Sequence, residues 1–472
     1  MSTWPEWKIK DFSEGMVDRV DDNLLPDNAA SDCCNFICRY LGRLQKRNGQ
    51  TRLNGTALGG SVHGLYSYYD DNTTFRKLIA AAGTVVYAWN DTTKAFDTLK
   101  TGIDATATLL FETCANYMVG MNGVDAPFKW NGTDVTTLAN APATGMIPTL
   151  YENYLFCVTK ADQSQLWWAD LFTPEVWPAI NYWDVKKGDG DNITCMKQFY
   201  SDLVIFKNRS IHIFKGSSLY DFRLDEMDSS IGCVGPQAAV VDGTRMYFIS
   251  QEGLYTFNGL TAKSIHSERI PKLWDGINKE YLYKSVATVW DGLVWFSLPY
   301  GTSTTNNLVI VYDPSKGTFW PMLNINASCF QTFDDGTELK LYSGDAVAGY
   351  VNQQDVGTED FGSPVSAYWI GKTQDQNLPE HLKKARKAFI EDSPNQTNPV
   401  SLLLSLDYGD FEAWTAKNND KLIREYRMPS SLSAKWRYIT PKFIHNTAGG
   451  CEVRGLMLPI KTKAKPKGRT IA

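Results

Sequence analysis

A phrase of about forty residues recurs along the chain, and this repetition limits the possible folds more than any other feature. Each copy has an apolar strand, a polar turn rich in Gly, Asn or Asp, and a strand rich in aromatic residues. A unit of this length with four short strands is typical of a β-propeller blade. Seven copies are present, with central turns at Gly83, Gly123, Gln163, Asn208, Gly253, Asn306 and Gly344.

The alternation of apolar and polar residues inside the copies indicates half-buried strands. Tyr255 and Phe257 flank Thr256, so the two aromatic side chains share one face of a strand. Asn-Gly pairs such as Asn258–Gly259 supply the positive φ that tight hairpin turns require. The 15 Trp, 23 Tyr and 22 Phe residues are numerous enough to fill the wedges between radially arranged blades.

We therefore predict an all-β chain in which residues 61–360 form a six- or seven-bladed β-propeller. The blade number stays open because the first or last copy can be divided between the two ends of the domain. A pair of β-sandwiches or a β-solenoid is the alternative arrangement of the same strands. Helical repeats are excluded, since the copies lack the i, i+3, i+4, i+7 apolar spacing of an amphipathic helix.

The regions on either side of the repeats have different patterns. Residues 1–60 are rich in turns and end in a basic stretch, which predicts an extended N-terminal docking segment. Residues 361–460 contain further strands separated by polar turns, which predicts an antiparallel, sandwich-like β-rich platform domain. Residues 461–472 are basic and nearly free of apolar residues, which predicts a flexible tail. The residues predicted to dock partner proteins are Arg43, Lys46, Arg47 and Arg52.

Charge and cysteine content exclude several classes of protein. The net charge of −5 provides no global basic field that would attract nucleic acid. The opening MSTWPEWKIKDF lacks the apolar region of a secretion signal, and no apolar run is long enough to predict a membrane span. The nine Cys are too scattered for a disulfide-rich secreted domain, which favours free thiols and folding in a reducing cytoplasm.

The motifs contain no convincing catalytic or cofactor-binding pattern. The nucleophile elbow, the phosphate-binding loop and the dinucleotide fingerprint are all absent from the sequence. Cys33, Cys34 and Cys38 lack the spacing and the fourth ligand of a structural zinc site. Asp189 and Asp191 resemble the start of a calcium loop without the residues that complete it, so a weak cation site stays open. We predict a protein that is not an enzyme and has no cofactor.

The opening of the chain and the blade endings carry a family resemblance. The opening includes LLPDNAA, NF and GRLQKRNG, and blades end in KWNG at residues 129–132 and FNG at residues 257–259. These features resemble the propeller-bearing tail proteins of short-tailed bacteriophages, namely the tail nozzle, also called tail tubular protein B, and the related packaged-DNA stabilisation protein. The resemblance is clearest over residues 10–360 and weakest in the C-terminal region.

This resemblance implies a virion structural protein that is made in the host cytoplasm and resides in the phage tail. It implies a homohexameric ring below the portal, in contact with tail adaptor or portal-proximal proteins and possible tail fibres. Packaged DNA would be retained by the ring and conducted through it, without sequence specificity, during ejection into the host. An acidic chain suits such a channel, because a wall lined with Lys and Arg would bind the phosphates. The basic N-terminal stretch and tail would then face partner proteins.

The resemblance also implies that loops between blades close the channel as gates until ejection. We assign this role to two turns that are long enough to protrude from the propeller. Their residues are Gly301, Thr302, Ser303, Thr304, Thr305, Asn306 and Asn307 in one turn, and Gly188, Asp189, Gly190 and Asp191 in the other.

Two sugar-related functions are the alternatives. A receptor- or glycan-binding propeller at the tail tip would use exposed aromatic rings that stack on sugars, and a propeller glycosidase would need paired carboxylates. The segments TFDDGTEL and DPSKGTFW match the Asp-boxes of propeller sialidases only in part, which favours ordinary Asp-Gly turns. The candidate sugar-stacking residues are Trp167, Trp168, Trp177, Trp183 and Trp436.

Overall fold

Short antiparallel strands make up nearly all of the regular structure, as the alternating sequence pattern predicts. The computed structural model describes residues 6–40, 42–70, 72–393, 398–417, 422–430 and 435–462. Helical turns in these residues occur between the fifth and sixth blades, as α1 (Pro271–Asp275) and a 3₁₀ helix (Lys279–Lys284). Among the described residues, no helix has the length and apolar character needed to cross a membrane.

Five short strands precede the first complete blade: β1 (Glu6–Ile9), β2 (Ala30–Cys34), β3 (Phe36–Ile37), β4 (Leu44–Lys46) and β5 (Gln50–Arg52). Blade 1 contains β6 (Val62–Tyr69), β7 (Arg76–Ala82), β8 (Val85–Asn90) and β9 (Ala95–Thr101). Blade 2 contains β10 (Leu110–Cys114), β11 (Tyr117–Met121), β12 (Phe128–Trp130) and β13 (Val135–Thr137). Blade 3 contains β14 (Gly145–Tyr151), β15 (Tyr154–Thr159), β16 (Gln165–Trp168) and β17 (Tyr182–Asp184).

The next three blades have the same four-stranded order. Blade 4 contains β18 (Ile193–Phe199), β19 (Asp202–Lys207), β20 (Ile211–Lys215) and β21 (Arg223–Asp228). Blade 5 contains β22 (Ala239–Asp242), β23 (Arg245–Ser250), β24 (Gly253–Phe257) and β25 (Ala262–Ser264). Blade 6 contains β26 (Val286–Trp290), β27 (Leu293–Leu298), β28 (Leu308–Asp313) and β29 (Thr318–Leu323).

Blade 7 combines residues from both ends of the propeller sequence. It contains β30 (Ala327–Asp334), β31 (Leu339–Asp345) and β32 (Val351–Gln354), and its outer strand is β5. β5 pairs antiparallel with β32, with Arg52 opposite Asn352. The short strands β33 (Glu359–Asp360) and β34 (Ser363–Pro364) extend this sheet. The all-β propeller prediction is confirmed, with seven blades, and the last blade is the one divided along the chain.

The second body is a nearly closed antiparallel sheet, which we call the barrel. Its strand order is β2-β35-β41-β38-β39-β40-β37-β42-β4-β3, and β1 also pairs with β42. A separate small ladder joins β36 (Lys383–Lys384) to β43 (Lys461–Thr462). The remaining strands are β35 (Ala367–Gly371), β37 (Lys387–Asp392), β38 (Ser401–Leu406), β39 (Glu412–Ala416), β40 (Ile423–Arg427), β41 (Ile439–His445) and β42 (Glu452–Pro459).

The N-terminal strands belong to these two bodies and do not form the separate docking segment that the sequence suggests. β1 to β4 lie in the barrel, and β5 lies in blade 7. The two ends of the barrel path, β2 and β3, are joined by Asn35 alone, whose φ is 58°. Residues 463–472, which include most of the predicted basic tail, lie outside the described residues.

A continuous hydrophobic core joins the barrel to blades 4 to 6 of the propeller. Trp320 on β29 and Trp369 on β35 are among its largest fully buried side chains. β2 and β3 pack against β29, which is the outermost strand of blade 6. The barrel therefore covers a sheet edge that would otherwise present unpaired backbone groups to solvent.

Candidate functional surfaces

The first strand of every blade lies at the propeller axis, where seven strands surround a cavity of about 480 Å³. Each of these strands contacts the first strands of the neighbouring blades, so the ring of blades is closed. Tyr66, Phe111 and Phe330 contribute aromatic surface, and Glu112 and Lys197 contribute charge. The cavity has the volume of a small-molecule pocket, and side chains from the first strands of all seven blades line it. A duplex cannot pass along this axis.

Glu112 is the acidic group of the axial cavity. Burial raises the pKa of its carboxyl, although the Thr113 and Leu150 N–H groups and the Lys197 charge act in the opposite direction. The Thr113 N–H donates to Glu112 Oε1 at 3.0 Å. These contacts use the carboxylate as a hydrogen-bond acceptor in the wall of the cavity.

The predicted gate turn at residues 188–191 is held in place by ionic and backbone contacts. Lys207 is completely buried, and its ammonium donates to both oxygens of Asp189 at 2.7 Å. Asp191 accepts the backbone N–H groups of Asn208 and Arg209 at 3.1 and 2.9 Å. Burial raises the pKa of Asp189, but the hydrogen bond from Lys207 and other nearby contacts lower it by more. The net shift of the pKa is therefore downward. Gly188 and Gly190 are exposed turn residues of this ordered loop.

The predicted gate turn at residues 301–307 is only partly protruding. Asn306 is 1% exposed, and its Nδ2 donates to the carbonyls of Lys284 and Ala327 at 2.9 and 2.8 Å. Asn278 Nδ2 donates to the Ser303 carbonyl at 3.0 Å. Gly301, Thr302 and Thr304 are exposed, Ser303 and Thr305 to Asn307 are less so, and the whole turn packs on the connection between blades 5 and 6.

Blade topology brings both predicted gate turns to one face of the propeller. In a four-stranded antiparallel blade, the turn between the second and third strands and the connection to the next blade leave from the same end. Residues 301–307 join the second and third strands of blade 6, and residues 188–191 connect blades 3 and 4. Their assignment as gates stays a prediction, and the contacts above make residues 188–191 a fixed feature of this face.

The four predicted docking residues divide into two buried and two accessible side chains. Lys46 and Arg47 are 6% and 3% exposed, because their charges are used inside the protein. Lys46 Nζ donates to the carbonyls of Val365 and Thr447 at 3.5 and 3.0 Å. Their assignment as surface docking residues is therefore corrected: neither has a free charge for a partner.

Arg43 and Arg52 are the accessible members of this set. The Arg43 side chain is 45% exposed and approaches Glu452 at 3.4 Å. Arg52 is exposed, and its guanidinium lies 3.9 Å from the centroid of the Tyr350 ring. The basic sequence at residues 43–52 therefore contains two structural and two exposed cations, a difference that residue type alone does not reveal.

Arg47 and Asn35 form a buried polar junction between the propeller and the barrel. The Arg47 guanidinium donates to both carboxylate oxygens of Asp360, at 2.9 and 2.6 Å, and to the Leu323 carbonyl at 3.0 Å. Asn35 Oδ1 accepts from Arg47 Nε and from the Leu323 N–H, both at 2.9 Å. Asn35 Nδ2 donates to the Ser366 carbonyl at 2.7 Å. These bonds fix the two bodies relative to each other.

The residues considered for metal binding and for sugar stacking have other partners. Within the described part of the chain, no group of three or more His, Cys, Asp or Glu side chains has the arrangement of a metal site. All nine Cys are free and buried. Trp168 and Trp436 are buried, Trp167 stacks on Tyr182, Trp183 packs on Phe214, and Trp177 Nε1 donates to the Pro174 carbonyl.

Charge is divided unequally between the two parts of the chain. Residues 61–360 contain 21 Lys and Arg against 34 Asp and Glu, a net of −13. Residues 361–472 contain 18 Lys and Arg against 10 Asp and Glu, a net of +8. The small overall charge of −5 hides this division, which a count by region would have found from the sequence. The propeller sequence is thus acidic and the C-terminal sequence basic, while residues 1–60, which supply β1 to β5, contain eight charges of each sign.

Fold and surfaces together define a two-body all-β protein, in which a seven-bladed propeller is fixed to a nearly closed antiparallel barrel. No protein-family model matches the chain, and no curated protein matches its sequence. Among solved structures it is similar to one described as the AfRom2 CNH domain, with 11% sequence identity and a TM-score of 0.41, over 65% of this chain and 99% of that one.

Proposed function

We propose that this protein is a non-catalytic structural subunit of a bacteriophage tail, which assembles into a ring that retains packaged DNA and conducts it during ejection. The observation that carries the proposal is the charge division, with an acidic propeller of net −13 and a C-terminal region of net +8. Unlike ends attract when copies arrange head to tail, and head-to-tail contacts close into rings when the rotation between copies permits it.

The fixed junction supports the ring, because a closed ring requires the same angle between the two ends of every copy. Arg47, Asp360 and Asn35 use their polar groups at the junction, and a shared hydrophobic core continues across it. Large apolar interfaces reduce relative motion of domains. The resemblance of the opening to phage tail nozzles gives the expected place of the ring, in the virion tail, with a homohexamer and tail adaptor proteins as the expected partners.

The path for DNA would be the hole of the ring and not the axis of a single propeller. The propeller axis holds only about 480 Å³ of space, and its walls come from the same chain. A wall formed by acidic propellers would release DNA readily, because few cations would neutralise its phosphates. This arrangement accounts for a DNA-conducting protein that has no basic field of its own.

Electron microscopy and mass photometry of the purified chain, alone and with the tail adaptor of the same virus, test this proposal. The expected result is a closed ring with a central opening, whose copies separate as salt is raised, because screening weakens contacts between unlike charges. A chain that remains monomeric under both conditions, or that forms only face-to-face dimers, would contradict it.

A further inference from the structure

Loops of blades 3 and 4 expose a group of large apolar side chains on the far side of the propeller. Tyr220 is 100% exposed and Ile180 83%, the highest values among the large hydrophobic residues that the structure describes. We call this group the blade 3–4 patch; its members are Leu171, Phe172, Val176, Ile180, Tyr200, Leu219 and Tyr220. Monomeric proteins rarely expose contiguous apolar groups of this kind without a partner.

Contacts between the two blades bring these loops together. The Tyr151 hydroxyl of blade 3 donates to the Ser201 and Gly216 carbonyls of blade 4, at 2.9 and 2.7 Å. Phe222, at the end of the blade 4 loop, packs edge-on against Trp168 of blade 3, with ring centroids 5.7 Å apart. Both loops therefore lie on one continuous surface, at the face opposite to residues 188–191 and 301–307.

Carboxylates outnumber cations around the patch. The loop segments 152–153, 169–181, 200–202 and 216–222 contain no Lys or Arg. They contain five carboxylates, which are Glu152, Asp170, Glu175, Asp202 and Asp221. Glu175 is paired with Lys129 of blade 2 at 2.6 Å, which leaves four carboxylates for a partner. An apolar surface with an acidic rim fits a partner surface that is basic and partly apolar.

The barrel offers such a surface on the strands β37, β39 and β40, which we call the barrel wall. Lys387 on β37 lies directly opposite Arg427 on β40, and both side chains are exposed and contact Glu425. Arg386 and Lys417 are also exposed in the same region. Ile423, which is 46% exposed and lies opposite Glu391, supplies apolar area. The wall therefore carries four cations against the three carboxylates Glu391, Glu412 and Glu425.

The patch and the wall lie at opposite ends of the molecule. β2 and β3, the ends of the barrel path, contact blade 6, and β39 and β40 occupy the fifth and sixth of its ten positions. In a nearly closed barrel, the middle strands of the path face away from its ends. Within the seven-bladed propeller, blade 3 is three blades away from blade 6. A copy therefore cannot join its own patch to its own wall.

We propose that the blade 3–4 patch of one copy binds the barrel wall of a second copy of this chain. This inference rests on the proposed ring and names the two surfaces that would form it. Unlike surfaces at opposite ends give a head-to-tail contact, which propagates until the ring closes. Apolar side chains form the centre of this contact, and the acidic and basic groups align its rim.

Two double variants remove one surface each. Ile180→Ser with Tyr220→Ser removes exposed apolar area from the patch, and Lys387→Gln with Arg427→Gln removes charge from the wall. Each variant alone should associate with itself at least tenfold more weakly than the unmodified protein in mass photometry. An equimolar mixture of the two should form a heterodimer and nothing larger, because each copy retains one intact and complementary surface.

The matched control is Val124→Ser with Val347→Ser, which removes apolar side chains that are 53% and 67% exposed on the opposite face of the propeller. Its self-association should equal that of the unmodified protein, and thermal unfolding should show that all variants fold. Variants that form normal rings would overturn the surfaces named here and leave the ring intact. A patch-to-patch contact would appear as dimers of the wall variant alone, and an unmodified chain that never assembles would overturn the proposed function itself.

Discussion

The propeller and the barrel are both antiparallel, but they are assembled from very different parts of the chain. Blades 1 to 6 each use one continuous segment, whereas the barrel pairs Ala30 with Gly371 and Glu6 with Pro459. Local pairing places every blade beside the next with little loss of loop entropy, while distant pairing depends on the whole chain being in place. The propeller is therefore built mainly by local pairing, with the outer strand of blade 7 as the exception, and the barrel by distant pairing.

The largest expected effect breaks the connection between the two bodies. Arg47→Ala leaves the Asp360 carboxylate and the Leu323 carbonyl without their guanidinium partner in a buried site, so it should lower the free energy of unfolding by about 3–5 kcal/mol. Arg43→Ala, at an exposed ion pair in the same stretch, should cost less than about 1 kcal/mol. Urea unfolding of both variants makes the comparison, and equal losses would show that the junction is not a source of stability.

Acid should weaken the barrel through His445, which is 2% exposed. Burial, with the nearby Lys46 charge, lowers the pKa of His445 to about 4. Between about pH 6.5 and pH 4, His445 is therefore protonated in the unfolded state and neutral in the folded state. Stability present above pH 6.5 should be lost as the pH falls through this window, by about 3 kcal/mol in all.

The check for His445 is the pH dependence of urea unfolding in His445→Gln. Its loss of stability between pH 6.5 and pH 4 should be smaller than that of the unmodified protein by this amount. Lys46→Met should recover part of it, since the Lys46 charge contributes to the lowered pKa. An unchanged profile in both variants would assign the acid sensitivity to other groups, including the buried His63, His212 and His266 of the propeller.

The smallest effect concerns a single turn of the propeller. Lys207→Met removes the buried ammonium that donates hydrogen bonds to Asp189. It should lower the free energy of unfolding by about 1–2 kcal/mol. Hydrogen exchange of residues 186–191 should rise, while the rest of the propeller keeps its protection. The control is Lys187→Met, which breaks the ion pair between the half-exposed Lys187 and Asp162. It should change the hydrogen exchange of these residues little. Equal exchange in the two variants would mean that Lys207 does not order the turn.

The same contrast explains what the sequence could predict. All seven central turns fall in seven different blades, because each hairpin is encoded by neighbouring residues such as Asn258 and Gly259. The outer strand of blade 7 was not predictable by repetition, since Gln50–Arg52 is separated from its blade by about 300 residues of chain. For the barrel, the sequence predicts only antiparallel, sandwich-like strands. The order of strands that lie far apart in the chain leaves no periodic signal in the sequence.

The candidate surfaces show a similar limit. A run of Lys and Arg does not reveal that Arg47 is used by Asp360 while Arg52 is exposed, since that depends on which distant carboxylate lies nearby. The length of the gate turns does not indicate their contacts, since the partner of Asp189 is a lysine on another strand. The apolar members of the blade 3–4 patch look like ordinary core residues in the sequence, and only their exposure distinguishes them.

Asn35, which joins the ends of the barrel path, also has a consequence for biosynthesis. The stretch from β2 to β5 is made early by the ribosome, yet its partners on β32, β35 and β42 emerge about 300 residues later or more. During that interval its strand edges have no native neighbours, and such edges favour aggregation. A shortened translation product ending before residue 351 would lack β32, β35 and β42 together, so termination in the first part of the chain should yield insoluble protein and no partly working subunit.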